Sequence, residues 1–113
     1  MNFIIRLLIT AAIAYGLSRL LPGVHIPAFT NALILAIVLA ILNTFIKPIL
    51  VILTLPISLL TLGLFLFVIN AIIILVADYL MDGIRIDGFW WALIFSLILS
   101  AASSLAHSLL KED

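Results

Sequence analysis

The stretch GVHIPAFTNALI, at residues 23–34, lines up without a gap with GIRIDGFWWALI, at residues 83–94. Six of the twelve aligned pairs are identical, where chance would give about one or two in a chain so rich in leucine and isoleucine. The match predicts that the chain contains two copies of one unit, offset by 60 residues, which cross their surroundings in the same direction.

The composition indicates that these surroundings are lipid. Of the 113 residues, 67% are hydrophobic and 9% are charged, against about 45–50% and about 25% in soluble domains. The mean hydropathy is +1.52. Five basic and five acidic residues give a formal net charge of zero, so no nucleic-acid partner is expected. The chain has no cysteine, which excludes disulfides and thiolate chemistry.

Three long stretches without charged residues or histidine set the number of membrane spans, since a bilayer core takes about 20 apolar residues per helix. Ile26–Ile46 and Gly88–Ala106 fit one span each, whereas the 30 residues of Pro48–Ala77 would form a helix of about 45 Å. The segment before them lacks a good cleavage site after Ser18 and is interpreted as a retained membrane helix. The repeat favours four spans, because five would invert the second half; they lie at about 3–21, 29–47, 61–80 and 89–109.

The predicted fold class is therefore an all-α membrane protein made of two parallel-repeat helical hairpins. We expect a single integral membrane domain over residues 1–113, with repeat halves at about 1–46 and 62–109 and a connector at 47–61. The distribution of basic residues near the span ends favours both termini on the inner side. That orientation places Arg6, Lys47 and Lys111 inside, and Arg19 and Arg85 outside.

The two outer loops share one pattern. Val24-His25-Ile26 and Ile84-Arg85-Ile86 each place a polar residue between two β-branched ones, which is the period of a strand. Either the triplets pair as a small ribbon that caps the helix ends, or each loop is a separate tight turn. The aromatic residues that follow the loops are typical of interfacial anchors: Phe29, Phe89, Trp90 and Trp91.

The connector is almost entirely apolar, which is unusual for a link between spans. We expect a short helix from Pro48 to Leu55 and a turn that starts at Pro56, with threonine hydroxyls bonding carbonyls that the prolines leave free. The segment is interpreted either as a candidate functional element or as a structural hinge. Three placements are open: it lies flat in the interface, re-enters the membrane or extends the helices. Its marked residues are Lys47, Pro48, Thr54, Pro56, Thr61 and Gly63.

Polar side chains inside the predicted spans are the other candidates. Asn43 and Asn70 are expected to join helices by hydrogen bonds, or alternatively to line a polar pathway or contact a lipid headgroup. Asp78 is either a solvated helix end or a partner of Arg19 or Arg85. Small residues spaced by four mark a packing face, within the bundle or between copies: Ser96, Ser100 and Ser104.

The sequence shows no catalytic signature and no phosphate-binding glycine loop. Its two histidines, His25 and His107, are predicted at opposite faces, which excludes a two-histidine metal site. We therefore expect no enzyme activity, no cofactor and no metal.

Four short motifs resemble a known bacterial family. They are Leu42-Asn43 with Ile46-Lys47-Pro48-Ile49, then Leu53-Thr54-Leu55-Pro56, then Leu60-Thr61-Leu62-Gly63-Leu64-Phe65, and last Ile69-Asn70-Ala71. They are similar to those of phage holin superfamily IV, also called the YvlD-like family. The resemblance implies a small four-span protein of the bacterial cytoplasmic membrane, and the holin label implies self-association into membrane lesions.

Three functions remain open at this point. The first is a holin-like, self-associating membrane protein without catalytic activity. The second is a non-lytic structural or regulatory protein that binds lipid or an unidentified protein partner. The third is a small transporter or channel subunit. The scarcity of polar residues in the spans favours a non-lytic role, whereas the family name favours the holin.

Overall fold

The first hairpin begins at an asparagine cap. The computed structural model describes residues 2–110, and in it the Asn2 side chain accepts a hydrogen bond of 2.7 Å from the Ile4 N–H at the start of helix α1, Phe3–Leu20. The chain turns at Pro22-Gly23, forms strand β1 (Val24–His25) and enters helix α2, Phe29–Ile41. The predicted spans at 3–21 and 29–47 therefore begin where expected.

The second helix does not stop at Pro48. A π-helical turn, Leu42–Ile46, follows α2 and leads directly into α3, Lys47–Leu53, so the helical path is continuous over Phe29–Leu53. The Lys47 N–H bonds the Leu42 carbonyl, five residues back. This wider turn lies immediately before the proline, which lacks an N–H and would crowd the carbonyl four residues earlier in a regular helix. The expected end of the span at 47 is corrected to Leu53.

Pro56 lies at the start of a helix, where a turn was expected. It lies in the first turn of α4, Leu55–Leu60, where the missing N–H has no intrahelical partner to lose. The predicted helix Pro48–Leu55 is accordingly replaced by α3 and α4, with Thr54 between them. The Thr54 hydroxyl donates to the Leu50 carbonyl at 2.7 Å and that of Thr61 to the Ile57 carbonyl at 3.0 Å. Each of these carbonyls also accepts the backbone N–H of the same threonine. The prolines therefore did not leave these carbonyls without a donor, as had been expected.

The third long helix begins later than predicted. After α4 the Gly63 N–H bonds the Ser58 carbonyl at 2.7 Å, and both Leu62 (φ +58°) and Gly63 (φ +90°) have positive φ values, which ends the helix in a left-handed turn. The Thr61 hydroxyl then accepts the Phe65 N–H at 3.1 Å and caps α5, Phe65–Leu80. The start at 61 is therefore corrected to 65. Strand β2 (Arg85–Ile86) and helix α6, Phe89–Leu110, complete the second hairpin.

The loops of the two hairpins, which were predicted on the outer side, pair with each other. Strands β1 and β2 run antiparallel, with Val24 opposite Ile86 and His25 opposite Arg85. The Asp87 N–H donates to the Gly23 carbonyl at 2.8 Å and extends the ribbon. Of the two readings of these loops, the ribbon is confirmed and the separate tight turns are wrong.

The ribbon is buried on one face and exposed on the other. Its β-branched residues point onto the helix ends and are almost inaccessible: Val24, Ile26, Ile84 and Ile86. His25 and Arg85 lie on the exposed face, where both hydrogen-bond Asp87. The His25 Nε2 lies 2.9 Å from one carboxylate oxygen and the Arg85 Nε lies 3.1 Å from the other. One carboxylate thus holds side chains from both hairpins.

Below the ribbon the four long helices enclose an apolar core. The fully buried side chains include Leu35, Ile69 and Phe95. Alanines that are wholly inaccessible let the helices approach closely: Ala11, Ala14, Ala32, Ala71, Ala77 and Ala92. Two glycines tighten the contact between hairpins, because a Cβ on Gly23 would lie 2.1 Å from Trp91 and one on Gly83 would lie 2.2 Å from the Asn31 amide nitrogen.

Three helices of the described residues are long and apolar enough to cross a membrane: Phe3–Leu20, Phe29–Leu53 and Phe89–Leu109. The fourth, Phe65–Leu80, is apolar but shorter. The molecule is thus mostly helical, as expected, with one addition in the two-stranded ribbon. Large apolar side chains are exposed along the connector, among them Ile52, Leu53, Leu59, Leu60 and Leu62, which is tolerable only in lipid or against another apolar surface.

The Gly23 contact gives a first test. Gly23→Ala should lower the free energy of unfolding by about 1–3 kcal/mol, because the new methyl group overlaps the Trp91 ring. Gly16→Ala is the matched control, since Gly16 lies in α1 with open space around it and alanine favours a helix by about 1 kcal/mol over glycine. Chemical unfolding in a mild detergent, followed by circular dichroism, measures both. Equal effects of the two substitutions would contradict the close packing.

The Asp87 carboxylate predicts a dependence on pH. The hydrogen bond from His25 lowers the pKa of Asp87 below its usual range, and Arg85 acts in the same direction. A lowered pKa in the folded state means that the stabilisation is present above the unfolded pKa, about 3.9, and is lost as the pH falls through the folded value. Asp87→Asn should remove this part of the acid sensitivity in the same unfolding experiment. A variant with the unchanged acid dependence would show that the ribbon does not depend on the carboxylate.

Candidate polar cleft

Polar side chains from α1, α2 with its π turn, and α6 surround a cavity of about 320 Å³. Its walls combine hydroxyl, amide, cationic and apolar groups. The polar members, which we call the polar cleft, are Arg6, Thr10, Asn43, Thr44, Ser100, Ser103 and His107. Phe3, Leu7, Leu39 and Leu99 are among the apolar ones. Since Arg6 lies in the first turns of α1 and His107 near the end of α6, the cleft occupies the end of the bundle opposite the ribbon.

A smaller cavity of about 60 Å³ adjoins the cleft. The two share Leu39, Asn43, Leu99 and Ser100 as walls. The smaller one adds Lys47 from the connector, Asn70 from α5 and Ser96 from α6. The two cavities together therefore have walls from all four long helices. We refer to this cavity as the side lobe of the polar cleft.

The backbone explains why these side chains meet. Asn43 and Thr44 belong to the π turn, and the Thr44 hydroxyl donates to the Ala40 carbonyl at 2.7 Å. On α6, Ser96 bonds the Leu93 carbonyl at 2.9 Å, while Ser100 and Ser103 follow at intervals of four and three residues. Residues at that spacing lie along one side of a helix. The serine series therefore faces the cleft over two turns.

The electrostatic character of the cleft is basic. Arg6 and His107 line the main cavity, and Lys47 lines the side lobe. Among the described residues, no acidic side chain lines either cavity. The described acids belong to the other end of the molecule, at Asp78, Asp82 and Asp87.

Two polar atoms of the cleft are buried without a hydrogen bond to any other described residue. They are the Ser103 Oγ and the His107 Nε2. Each such group forfeits a desolvation free energy of about 1–3 kcal/mol unless something pairs with it. The Asn43 and Asn70 carboxamides also line the walls, with Asn43 exposed and Asn70 half-buried. Donors and acceptors for a polar ligand are therefore present on several sides of the cavity.

The structure brings some predicted residues together and separates others. Asn43, Asn70, Lys47, Ser96 and Ser100 meet at the cleft and its side lobe. The asparagines do so as wall residues, not through the expected hydrogen bonds between helices. Pro48, Thr54, Pro56, Thr61, Gly63 and Ser104 line neither cavity.

Asp78 has neither of its predicted partners. Arg19 lies over the Tyr15 ring, 4.9 Å from its centroid, and donates to the Tyr15 hydroxyl. Arg85 bonds Asp87. Asp78 is therefore a half-buried residue near the end of α5, close to the ribbon. Lys111, which counts toward the predicted orientation, lies outside the described residues.

Sequence reasoning did not assign a site role to Arg6, Thr10, Thr44, Ser103 or His107. Arg6 and His107 were interpreted as residues at the membrane boundary. A signal was nevertheless present, because the offset of 60 residues aligns polar positions with polar positions: Thr10 with Asn70, Asn43 with Ser103, and Lys47 with His107. All six residues line the cleft or its side lobe.

Comparison with known proteins agrees with this architecture. The family model described as "Mycobacterial 4 TMS phage holin, superfamily IV" matches residues 1–105. The "Uncharacterized membrane protein YvlD" of Bacillus subtilis is 42% identical over 97 residues, which cover 85% of this chain and 82% of that protein. The "Uncharacterized protein SCO3922" of Streptomyces coelicolor is 36% identical over 84 residues, 71% of this chain and 67% of its own length.

No solved structure matches the chain significantly. The family match over residues 1–105 and the similarity to a bacterial membrane protein, together with the long apolar helices, assign the chain to a membrane protein family. The chain belongs to phage holin superfamily IV.

Proposed function

We propose that this protein is a non-lytic component of the bacterial cytoplasmic membrane that binds a polar ligand in the cleft and opens no pore through the bilayer. The observation that carries the proposal is the separation of polar and apolar groups. The cleft occupies one end of the bundle, and inaccessible side chains fill the space between it and the ribbon: Leu35, Ile69 and Phe95. A continuous polar path through one copy would have to cross this core.

The proposal includes a single membrane domain built from two repeats. Its support is that contacts between the hairpins occur in equivalent pairs. Gly23 packs against Trp91 and Gly83 against Asn31, and a shift of 60 residues converts one contact into the other. In the ribbon, His25 faces Arg85, its own equivalent. These pairs are the ones expected if a two-fold axis runs along the membrane normal through the ribbon.

Burial follows the same symmetry. The shift relates inaccessible or nearly inaccessible residues to one another: Ala11 to Ala71, Ala14 to Ile74, Leu17 to Ala77, Ala32 to Ala92, Leu35 to Phe95, and Leu39 to Leu99. The connector between the halves has no such counterpart. This pattern supports the repeat halves at about 1–46 and 62–109.

Four spans follow from the same arrangement. Helix α5 has 16 residues, or about 24 Å, which is shorter than a hydrocarbon core of about 30 Å. The turn before it carries exposed Leu62 and Leu64, and α4 adds exposed Leu59 and Leu60. These apolar side chains can fill the remaining depth, so the connector is proposed to lie within the lipid on the side of the cleft.

Self-association into lesions is the second candidate, and membership of the holin family favours it. Against it stands the surface of the bundle, whose exposed side chains include many large apolar residues, for example Ile37, Ile41, Phe67, Ile94 and Ile98. A water-filled lesion needs polar walls, which these faces do not provide. We therefore propose that copies which associate do so without opening an aqueous path, and that the protein has no catalytic activity.

The proposed orientation places both termini and the cleft on the cytoplasmic side. The chain contains no native cysteine, so single cysteines can report sidedness. Ser108→Cys, near the cleft, should resist a membrane-impermeant maleimide in intact spheroplasts, whereas Asp82→Cys, near the ribbon, should react. Both should react after permeabilisation. Labelling of Ser108→Cys but not Asp82→Cys in intact spheroplasts would reverse the orientation.

The sealed-membrane proposal is tested by induced expression with a potential-sensitive dye. The potential should persist at high expression, and liposomes that contain the purified protein should retain an encapsulated dye. An established holin expressed to the same level serves as the positive control. Collapse of the potential, followed by lysis when a cell-wall hydrolase is present, would support the holin function and contradict the proposal. The mass of the purified particle in mild detergent gives the number of copies.

A further inference from the structure

We infer that the polar cleft binds the phosphate group of an anionic lipid headgroup. This inference rests on the proposed function and specifies its ligand. The charge of the walls is the first argument. Arg6 and His107 in the main cavity and Lys47 in the side lobe supply positive or ionisable groups, and no acidic side chain among the described residues lines either cavity. Such a site favours an anion over a cation or a neutral sugar.

The hydrogen-bonding capacity of the walls is the second argument. A phosphate group offers several strong acceptor oxygens, which match guanidinium, ammonium, hydroxyl and amide donors. The Asn43 amide forms no bond to another described residue, and the Ser103 Oγ is buried and unpaired. The His107 Nε2 is also buried and unpaired, and it donates when it carries a proton. A phosphate in the cavity would give these groups the partners that the described chain does not supply.

The apolar part of the cleft selects a lipid over a soluble anion. Leu7, Leu39 and Leu99 share the cavity with the polar groups, and Phe3 stands beside Arg6 at its edge with 60% of its surface exposed. A free phosphate would leave these side chains without contacts. A phospholipid would place its phosphate among the polar groups and its glycerol and first methylenes against the apolar ones, as expected for basic pockets between membrane helices.

The position of the cleft agrees with this ligand. Arg6 and His107 lie within the first and last turns of α1 and α6, which is the depth of a headgroup layer when both helices span the bilayer. Arg19, at the other end of α1, differs from Arg6 in that its guanidinium is already engaged by Tyr15. The two arginines therefore form a matched pair for an experiment, with the same helix, the same residue type and different surroundings.

The test uses the full-length protein in a neutral, mild detergent, titrated with dihexanoyl phosphatidylglycerol, dihexanoyl phosphatidylcholine and inorganic phosphate by isothermal calorimetry. We expect phosphatidylglycerol to bind at least tenfold more tightly than phosphatidylcholine. Arg6→Gln should weaken the phosphatidylglycerol affinity about tenfold or more, in line with the loss of a charge-assisted hydrogen bond. Arg19→Gln should leave it unchanged. Lys47→Gln repeats the test if Arg6→Gln does not give a folded particle by circular dichroism and gel filtration.

The inorganic phosphate arm separates the two sources of the ligand. Weak phosphate binding that competes with phosphatidylglycerol supports the lipid headgroup, whereas phosphate binding as tight as that of the lipid overturns the assignment to lipid. Equal affinities for the two lipids, or equal losses in Arg6→Gln and Arg19→Gln, overturn the inference as a whole. Sealed liposomes without selective lipid binding would refute this inference alone, and leaking liposomes with selective binding would refute the proposed function alone.

Discussion

The backbone groups of the two hairpin loops must find hydrogen-bond partners, and the rest of the structure depends on how they do so. Val24–His25 and Arg85–Ile86 supply those partners to each other. Because the strands belong to different hairpins, the pairing fixes the position of one hairpin against the other. The buried β-branched residues and the Asp87 carboxylate, which binds His25 and Arg85, stabilise the same junction. Loss of the ribbon would leave unpaired backbone groups where water cannot replace the partner.

The ribbon also explains why the two ends of the bundle differ. At the ribbon end the hairpins meet through close contacts, with Gly23 under Trp91 and Gly83 against Asn31. At the opposite end no strand within residues 2–110 joins them, and a π turn precedes Pro48 in the second helix. The helices there enclose an open cavity with polar walls, not a packed core. The two ends of the bundle therefore differ in packing, with close contacts between the hairpins at the ribbon and a polar cavity at the opposite end.

Local pattern predicted much of this architecture. The apolar stretches predicted the helices. The alternation of β-branched and polar residues predicted the ribbon as one of two alternatives, the other being two separate tight turns. The connector was harder to predict, because the effect of a proline depends on the turn that precedes it. The π turn at Leu42–Ile46 lets the helix continue past Pro48. The residue types in that segment do not predict a π turn. The cleft was missed for a different reason, since it joins Arg6, Asn43 and His107 from three helices, and their sequence separation hides their proximity.

The sequence left the connector as a candidate functional element or a structural hinge, and the cleft and its side lobe take most of their walls from the long helices. Of the connector residues, Lys47 lines the side lobe, whereas the apolar side chains that follow it are exposed. Within the proposed repeat halves, two pairs of positions 60 residues apart contribute to the cleft and its side lobe: Thr10 with Asn70, and Asn43 with Ser103. Duplication of one hairpin would place each polar position on both sides of the axis and would double the polar groups around it. The connector would then serve to keep the hairpins apart at that end, because a short loop could not span the opening that the ligand needs.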